Sequence, residues 1–229
     1  MDLFSYCIPY DDGAAPNPYW GVCTLVICKP AVRRKAKKGD WIVGTGAKYA
    51  RLANGVSKDM SGRVVYAMKV TDKMTMRDYD AFTQAKLREK VPVRRSKDTR
   101  RRLGDAIYEF STTPPTQRQG VHDTGNIRTD LGGKHALLST HFYYFGDQAV
   151  SLPRHLRPIA QNRQGHRRGL NAPFVADFVA WIDGLGPKPG TLAGTPLLDL
   201  YANDTASRWC ASGRAEDDED EREDPEPGC

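Results

Sequence analysis

Four side chains in the sequence are of the types that enzymes use as nucleophiles or as general acids and bases: Cys23, His122, Asp123 and His166. A thiol attacks carbon once a neighbouring base has taken its proton, and imidazole and carboxylate groups serve as that base. No surrounding motif fixes the role of any of the four. Catalysis is therefore one hypothesis for this chain, with Cys23, Asp123 and His166 as the candidate catalytic residues.

The segment from 121 to 130 concentrates polar side chains between two more apolar stretches. Its chemistry-bearing members are His122, Asp123, Asn126, Arg128 and Asp130. Two interpretations stand: a cluster of acid–base and hydrogen-bonding groups, or a series of Asx-turns, which residues of this composition commonly form.

Metal chemistry and a membrane location find no support in the sequence. The five cysteines stand at the irregular positions 7, 23, 28, 210 and 229, and the Cys23-x4-Cys28 pair has no second pair at metal-ligand spacing. No apolar run approaches the roughly 20 residues of a membrane helix. We predict reduced thiols, no metal, no cofactor, no membrane partner and a cytoplasmic location.

The net charge of +6 conceals two oppositely charged parts. Residues 214–229 contain nine acidic and two basic residues, a net charge of −7, which leaves +13 for residues 1–213. A body this basic predicts a polyanionic partner, and nucleic acid is the commonest one. The alternative is a basic surface that is merely solvated. The acidic tail is predicted to be disordered and to compete with nucleic acid for the basic face.

The hydrophobic pattern predicts an α+β protein. The run GDWIVGTG at 39–46 is an apolar strand between glycine turns, and 63–70 alternates so that Val64, Tyr66, Met68 and Val70 share one face. In the run 142–145, Phe142 and Tyr144 are predicted to face opposite to Tyr143 and Phe145. Helices are predicted over 71–85 and 171–182.

Aromatic residues follow a Pro-Asn-Pro loop at 16–18. Tyr19 and Trp20, held between this loop and a core strand, suit a platform on which a base stacks. The alternative is a plug that packs on the end of the sheet. Gly44 and Gly46 end a strand without side chains, so that another backbone or a flat ligand can approach.

These stretches also carry a family resemblance. The runs APNPYWGVCTLVICKP and GDWIVGTG are similar to the second of the nucleotide modification associated domain families. Together with GRVVYAMKV, they resemble more loosely the PUA-like superfamily with its EVE, YTH and ASCH domains. The resemblance implies a PUA-like, partly closed, twisted β-barrel with peripheral helices over residues 1–186. It also implies an association with bacterial or phage modification and defence systems.

The expected site has two sets of residues. The set for the base or nucleotide is Asn17, Tyr19, Trp20, Trp41, Gly44, Thr45, Gly46 and Tyr144. The set for phosphates is Lys29, Arg33, Arg34, Lys35, Arg94, Arg95, Arg167 and Arg168. They predict a nucleic-acid-associated domain that recognises a modified nucleobase or nucleotide, in DNA or RNA, in an aromatic-lined pocket.

Two alternatives to this binding module remain open. One is an enzyme that modifies or excises a nucleobase on the same fold, and the other is an interaction domain for an acidic protein. In either case we expect a linker and short helix over 187–213 and the disordered acidic tail over 214–229.

Overall fold

The computed structural model describes residues 1–52 and 54–198. Its strands are β1 (Leu3–Ile8), β2 (Cys23–Leu25), β3 (Trp41–Gly46), β4 (Ala50–Arg51), β5 (Ser57–Lys58), β6 (Arg63–Lys69), β7 (Asp72–Thr75), β8 (Tyr108–Glu109), β9 (Thr116–Gln117), β10 (His135–Ser139), β11 (His141–Tyr144), β12 (Val150–Ser151), β13 (His166–Arg167) and β14 (Thr191–Leu192). Its α-helices are α1 (Pro30–Lys35), α2 (Met76–Lys86), α3 (Thr99–Arg102), α4 (Ile127–Gly132) and α5 (Val175–Asp183). Short 3-10 helices cover Arg88–Lys90, Thr124–Asn126, Gly146–Gln148, Arg154–Ile159 and Gly169–Phe174.

The largest sheet is mixed, with strand order β13-β1-β3-β6-β11-β14 and with β12 also paired to β6. β1 and β3 run parallel, and β6 is antiparallel to both β3 and β11. Every residue of β3 is buried. A strand buried on both faces must be apolar throughout or lack side chains, which explains Trp41, Ile42 and Val43 followed by glycines.

Apolar layers cover both faces of this sheet. On one face, Phe4, Ile42 and Phe142 pack against the smaller sheet β2-β10-β7 through Leu25 and Leu137. The other face packs against α5 and the 154–159 turn through a separate cluster. The far side of the smaller sheet is covered by α2 and residues 103–108. The result is an α+β sandwich of stacked layers, as the sequence predicted in class.

The aromatic alternation of β11 is confirmed, whereas that of β6 is broken. Phe142 and Tyr144 lie in one core layer and Tyr143 and Phe145 in the other. In β6, the register with β3 shifts so that Gly44 pairs with Tyr66 but Thr45 pairs with Val64, which leaves one extra residue in β6. This β-bulge turns Val64 into the layer opposite to Tyr66.

The predicted barrel is not found in the described residues. The largest sheet stays open, with β13 at one end of its strand order and β14 at the other, and the remaining sheets have two or three strands. A PUA-like barrel is therefore not confirmed, while the mixed α+β class is. The helix predicted over 71–85 is wrong at its start, because Asp72–Thr75 form β7 beside β10 and the helix begins at Met76.

The start of the predicted linker contributes to the main sheet. Within residues 187–198, β14 pairs with the outer side of β11, and Leu198 donates its backbone N–H to the carbonyl of Asp11. The rest of the predicted linker, the predicted short helix and the acidic tail lie outside the described residues. Among the helices of the described part, none is long and apolar enough to cross a membrane.

Candidate active site

The structure separates the three residues predicted to be catalytic. Cys23 is fully buried in β2, and burial raises the pKa of its thiol to about 12. Asp123 is exposed and accepts the backbone N–H of Gly125, so it caps the 124–126 turn. His166 is buried in β13, where its ring stacks on Phe4 with centroids 6.0 Å apart. These residues do not share a site.

A different cysteine lies beside a histidine and a carboxylate. Sγ of Cys28 is 3.4 Å from Nε2 of His122, and Nδ1 of His122 is 2.7 Å from Oδ2 of Asp130. A nucleophile in contact with a base, and a base oriented by a third group, is the geometry of nucleophilic catalysis. We call these three residues the Cys28 triad.

The chain folds sharply at the cysteine itself. Cys28 lies in the short connection between β2, which ends at Leu25, and α1, which begins at Pro30. Cys28 has φ 57° and Lys29 has φ 44°, the left-handed conformation that residues with a side chain rarely adopt. Two such residues in succession cost stability, and strain of this kind is concentrated at functional sites. The turn leaves Cys28 partly exposed, unlike Cys23.

Asp130 holds both other members of the triad. Its Oδ1 accepts the backbone N–H of Cys28 at 2.9 Å, while its Oδ2 accepts the Tyr108 hydroxyl at 2.9 Å in addition to the His122 contact. One carboxylate in α4 therefore fixes the backbone of Cys28 and the ring of His122 together.

The buried side chain of Arg33 in α1 also holds the turn at Cys28 through hydrogen bonds. Its Nη1 donates to the Cys28 carbonyl at 3.1 Å, and its Nη2 donates to the Asp130 carbonyl. The guanidinium lies against Gly133, where a Cβ would come within 2.3 Å of its central carbon. Gly133 thus provides the space for Arg33, and Arg33 ties α4 to the Cys28 turn.

The electrostatics of the triad favour a charged imidazole. Burial alone lowers the pKa of His122, but negative charge at Cys28 and Asp130 and the hydrogen bonds to both outweigh it, so the pKa lies well above 6.5. Burial likewise raises the pKa of Asp130, but His122 and Arg33 outweigh it and keep this carboxyl ionised. The geometry thus places a cationic ring, oriented by Asp130, against the Cys28 sulfur.

A cavity of about 370 Å³ has Tyr19, Arg100, Pro196 and Leu198 in its wall. The three residues of the Cys28 triad do not line it. Gly13 packs against Tyr19 and Pro196, while the charge of His122 acts on the neighbouring carboxyl of Asp12 and lowers its otherwise raised pKa. The loop 11–13 therefore borders both the cavity and the triad.

The predicted base-binding residues do not converge on one pocket. Trp41 is 1% exposed and packs edge-on against Phe178 and His141 on one side of the main sheet. Tyr144 lies in the opposite layer, where its hydroxyl donates to Asp11 at 2.5 Å. Tyr19 borders the cavity, and partly buried Trp20 has the Arg100 guanidinium 4.8 Å from its ring centre.

The strand-end residues of the base set are filled by packing. A Cβ at Gly44 would come within 2.5 Å of Ile8 and Tyr66, and one at Gly46 within 2.4 Å of Met60. Thr45 is buried, and its Oγ1 accepts the backbone N–H of Gln161 at 3.1 Å. These glycines thus admit neighbouring side chains of the same protein rather than leaving an opening.

Asn17 belongs to a buried polar network. Lys90 donates to its backbone carbonyl, to its Oδ1 and to the Thr24 hydroxyl, at 2.7–2.9 Å. Asp105 accepts the hydroxyls of Thr24 and Tyr79. Burial lowers the pKa of Lys90 to about 8, and Asp105 opposes that effect. All three Lys90 donors are used, so the network holds the Pro-Asn-Pro loop in place.

The predicted phosphate set divides between surface and interior. Lys35, Arg94 and Arg95 are exposed. Arg33 is fully buried. The remaining four have the following contacts: Lys29 lies over the Tyr6 ring, Arg34 donates to the Gly132 carbonyl, Arg167 donates to the Pro158 carbonyl, and Arg168 is 3.9 Å from Asp2. Among the described residues there is no cluster of three or more groups able to hold a metal ion.

Sequence reasoning included His122 and Asp130 as part of a polar segment but overlooked Cys28. The signal that it left unused is the position of Cys28 at the end of an apolar strand, directly before Lys29 and Pro30. A strand that must reverse before a helix-starting proline places its last side chain on a turn.

Comparison of the chain with known proteins found a family match. The family model described as nucleotide modification associated domain 2 matches residues 1–202. No curated protein and no solved structure matches the chain.

Proposed function

The chain belongs to the nucleotide modification associated domain 2 family, and we propose that it is an enzyme of nucleotide modification whose nucleophile is the Cys28 thiol. The observation that carries this proposal is the Cys28 triad, with Sγ 3.4 Å from His122 and His122 2.7 Å from Asp130. The enzyme hypothesis, which was the alternative from the sequence, is therefore the function that we propose, with Cys28 instead of Cys23 as the nucleophile.

The chemistry that such a triad supports is acyl transfer. The Cys28 sulfur forms a bond to a carbonyl carbon, whose π electrons move to oxygen, and the thiol proton resides on Nε2 of His122. When the carbonyl re-forms, the bond to the leaving group breaks and His122 returns the proton to that group. Water or the amino group of a nucleobase then attacks the thioester while His122 takes its proton; the C–S bond breaks, and the proton passes from His122 to the sulfur, which regenerates the thiol. The substrate class is a nucleotide that carries, or receives, an acyl or amide substituent.

The size and lining of the cavity are consistent with a bound nucleotide. Its volume lies within the range of small-molecule sites, and its wall combines apolar residues with Tyr19 and Arg100, which carry polar groups. Arg100 is already oriented by two bonds to Asp98, at 3.0 and 2.8 Å, and by the Trp20 ring.

The test uses p-nitrophenyl acetate as a simple acyl donor. The purified full chain is expected to gain an acetyl group at Cys28, located by peptide mass spectrometry, and to lose it again in hydroxylamine. His122→Ala is expected to gain it at least tenfold more slowly. Equal acetylation of Cys28 in wild type and His122→Ala would contradict the proposal.

Recognition of a modified nucleobase without turnover is the second candidate function. Tyr19 in the cavity wall and the Arg100 guanidinium over the Trp20 ring favour it, because proteins stack bases on aromatic rings and on arginine guanidinium planes. Trp20→Ala is expected to weaken binding of a modified oligonucleotide about tenfold with little change in melting temperature, measured by fluorescence anisotropy. A loss of several degrees with unchanged affinity would instead assign Trp20 to the core. Analysis of the bases after long incubation separates this function from the first.

A further inference from the structure

The hairpin of β4 and β5 carries the most exposed large apolar side chains of the described residues apart from Met1. Tyr49 is 67% exposed and Val56 is 55% exposed. An isolated exposed apolar residue needs no explanation. Here an aromatic ring and a valine are both exposed on one small hairpin that also carries Lys48, Arg51 and Lys58.

The hairpin has a fixed base. Ala50 pairs with Lys58 and is buried, and the backbone N–H of Met60 donates to the Ala47 carbonyl at 3.0 Å. Arg51 donates its backbone N–H to the Pro9 carbonyl at 3.0 Å. Tyr49 is therefore exposed to solvent on a hairpin whose base is held by backbone hydrogen bonds to the rest of the protein.

The charge around Tyr49 is positive. Residues 47–63 contain two lysines and two arginines against one aspartate, a net charge of +3. Lys48 holds its ammonium group 5.6 Å from the centre of the Tyr49 ring, while Lys58 is exposed on the partner strand. An exposed aromatic ring with one cation at its face and a second on the neighbouring strand suits the alternating bases and phosphates of a nucleic-acid strand.

We infer that this hairpin is a nucleic-acid contact: Tyr49 stacks on a base, and Lys48 and Lys58 contact the adjacent phosphates. The hairpin joins the loop that leads from β1 to Asp11 and Asp12, so a bound strand would lie at the edge of the site. The inference rests on the proposed function, which identifies the Cys28 triad as the active site. It extends the proposed function by naming a polynucleotide, rather than a free nucleotide, as the substrate.

The experiment measures binding of a fluorescent single-stranded oligonucleotide of about 12 nucleotides by anisotropy. Tyr49→Ser is expected to weaken binding about tenfold, and Tyr49→Phe, which keeps the ring, to stay within about twofold of wild type. Lys48→Gln combined with Lys58→Gln is expected to lower the salt dependence of binding. Arg154→Gln combined with Arg157→Gln is the matched control, since both arginines are exposed on a different turn.

Several outcomes overturn the inference. They are no oligonucleotide binding by wild type, wild-type affinity in Tyr49→Ser, or an equal loss in the arginine control. Acetylation of Cys28 by p-nitrophenyl acetate, measured on the same variants, is expected to be unchanged. If acetylation fails in wild type while the Tyr49 effect is present, the proposed function is wrong and the contact stands.

Discussion

Replacing Cys28 with alanine is expected to lower acyl turnover by about 10³-fold or more, because the covalent intermediate can no longer form. The change removes only a partly exposed sulfur, so the melting temperature should fall by no more than a few degrees. Release of p-nitrophenol under single-turnover conditions, with thermal unfolding measured on the same sample, gives both values.

Cys23→Ala is the matched control for this prediction. Its thiol is fully buried, and burial raises its pKa to about 12, so it stays protonated at neutral pH. Turnover should remain close to that of wild type after correction for folded protein. If Cys23→Ala and Cys28→Ala lose turnover equally, the two effects report on stability, and Cys28 is not the nucleophile.

Trp41→Ala is expected to reduce the free energy of unfolding by about 3–5 kcal/mol, the usual cost of removing a large aromatic side chain from a core. Trp41 is 1% exposed and packs against Phe178 at a centroid distance of 6.0 Å. Urea unfolding followed by circular dichroism measures the change. Trp20→Ala, which removes a partly buried indole, should cost much less. Equal losses of unfolding free energy would show that Trp20 contributes as much to the packing of the core as Trp41 does.

The fold class could be predicted because hydrophobic alternation is a local property. The opposite faces of Phe142 and Tyr143 follow from the pleat alone, and the structure confirms them. The position of Val64 could not be predicted, since a β-bulge depends on how β6 pairs with β3. The prediction of a barrel failed for the same reason. A sheet closes into a barrel only if its two edge strands pair, and this pairing cannot be predicted from the pattern of any single strand.

The site was harder to predict because its parts are distant in sequence. Cys28 and Asp130 are 102 positions apart, and only the fold brings the Cys28 N–H to the Asp130 carboxylate. The left-handed backbone at Cys28, a non-glycine residue, also gives no sequence signal. Trp41 was misleading because an aromatic residue next to glycines suits a ligand platform as well as a strand buried on both faces.

The most direct test of the central claim is the rate at which iodoacetamide alkylates Cys28 at pH 7, followed by peptide mass spectrometry in wild type and in His122→Ala. If the imidazolium held by Asp130 activates the thiol, Cys28 should be alkylated at least about tenfold faster in wild type than in the variant, and faster than Cys23 in both. An identical Cys28 rate in the two proteins would contradict the account.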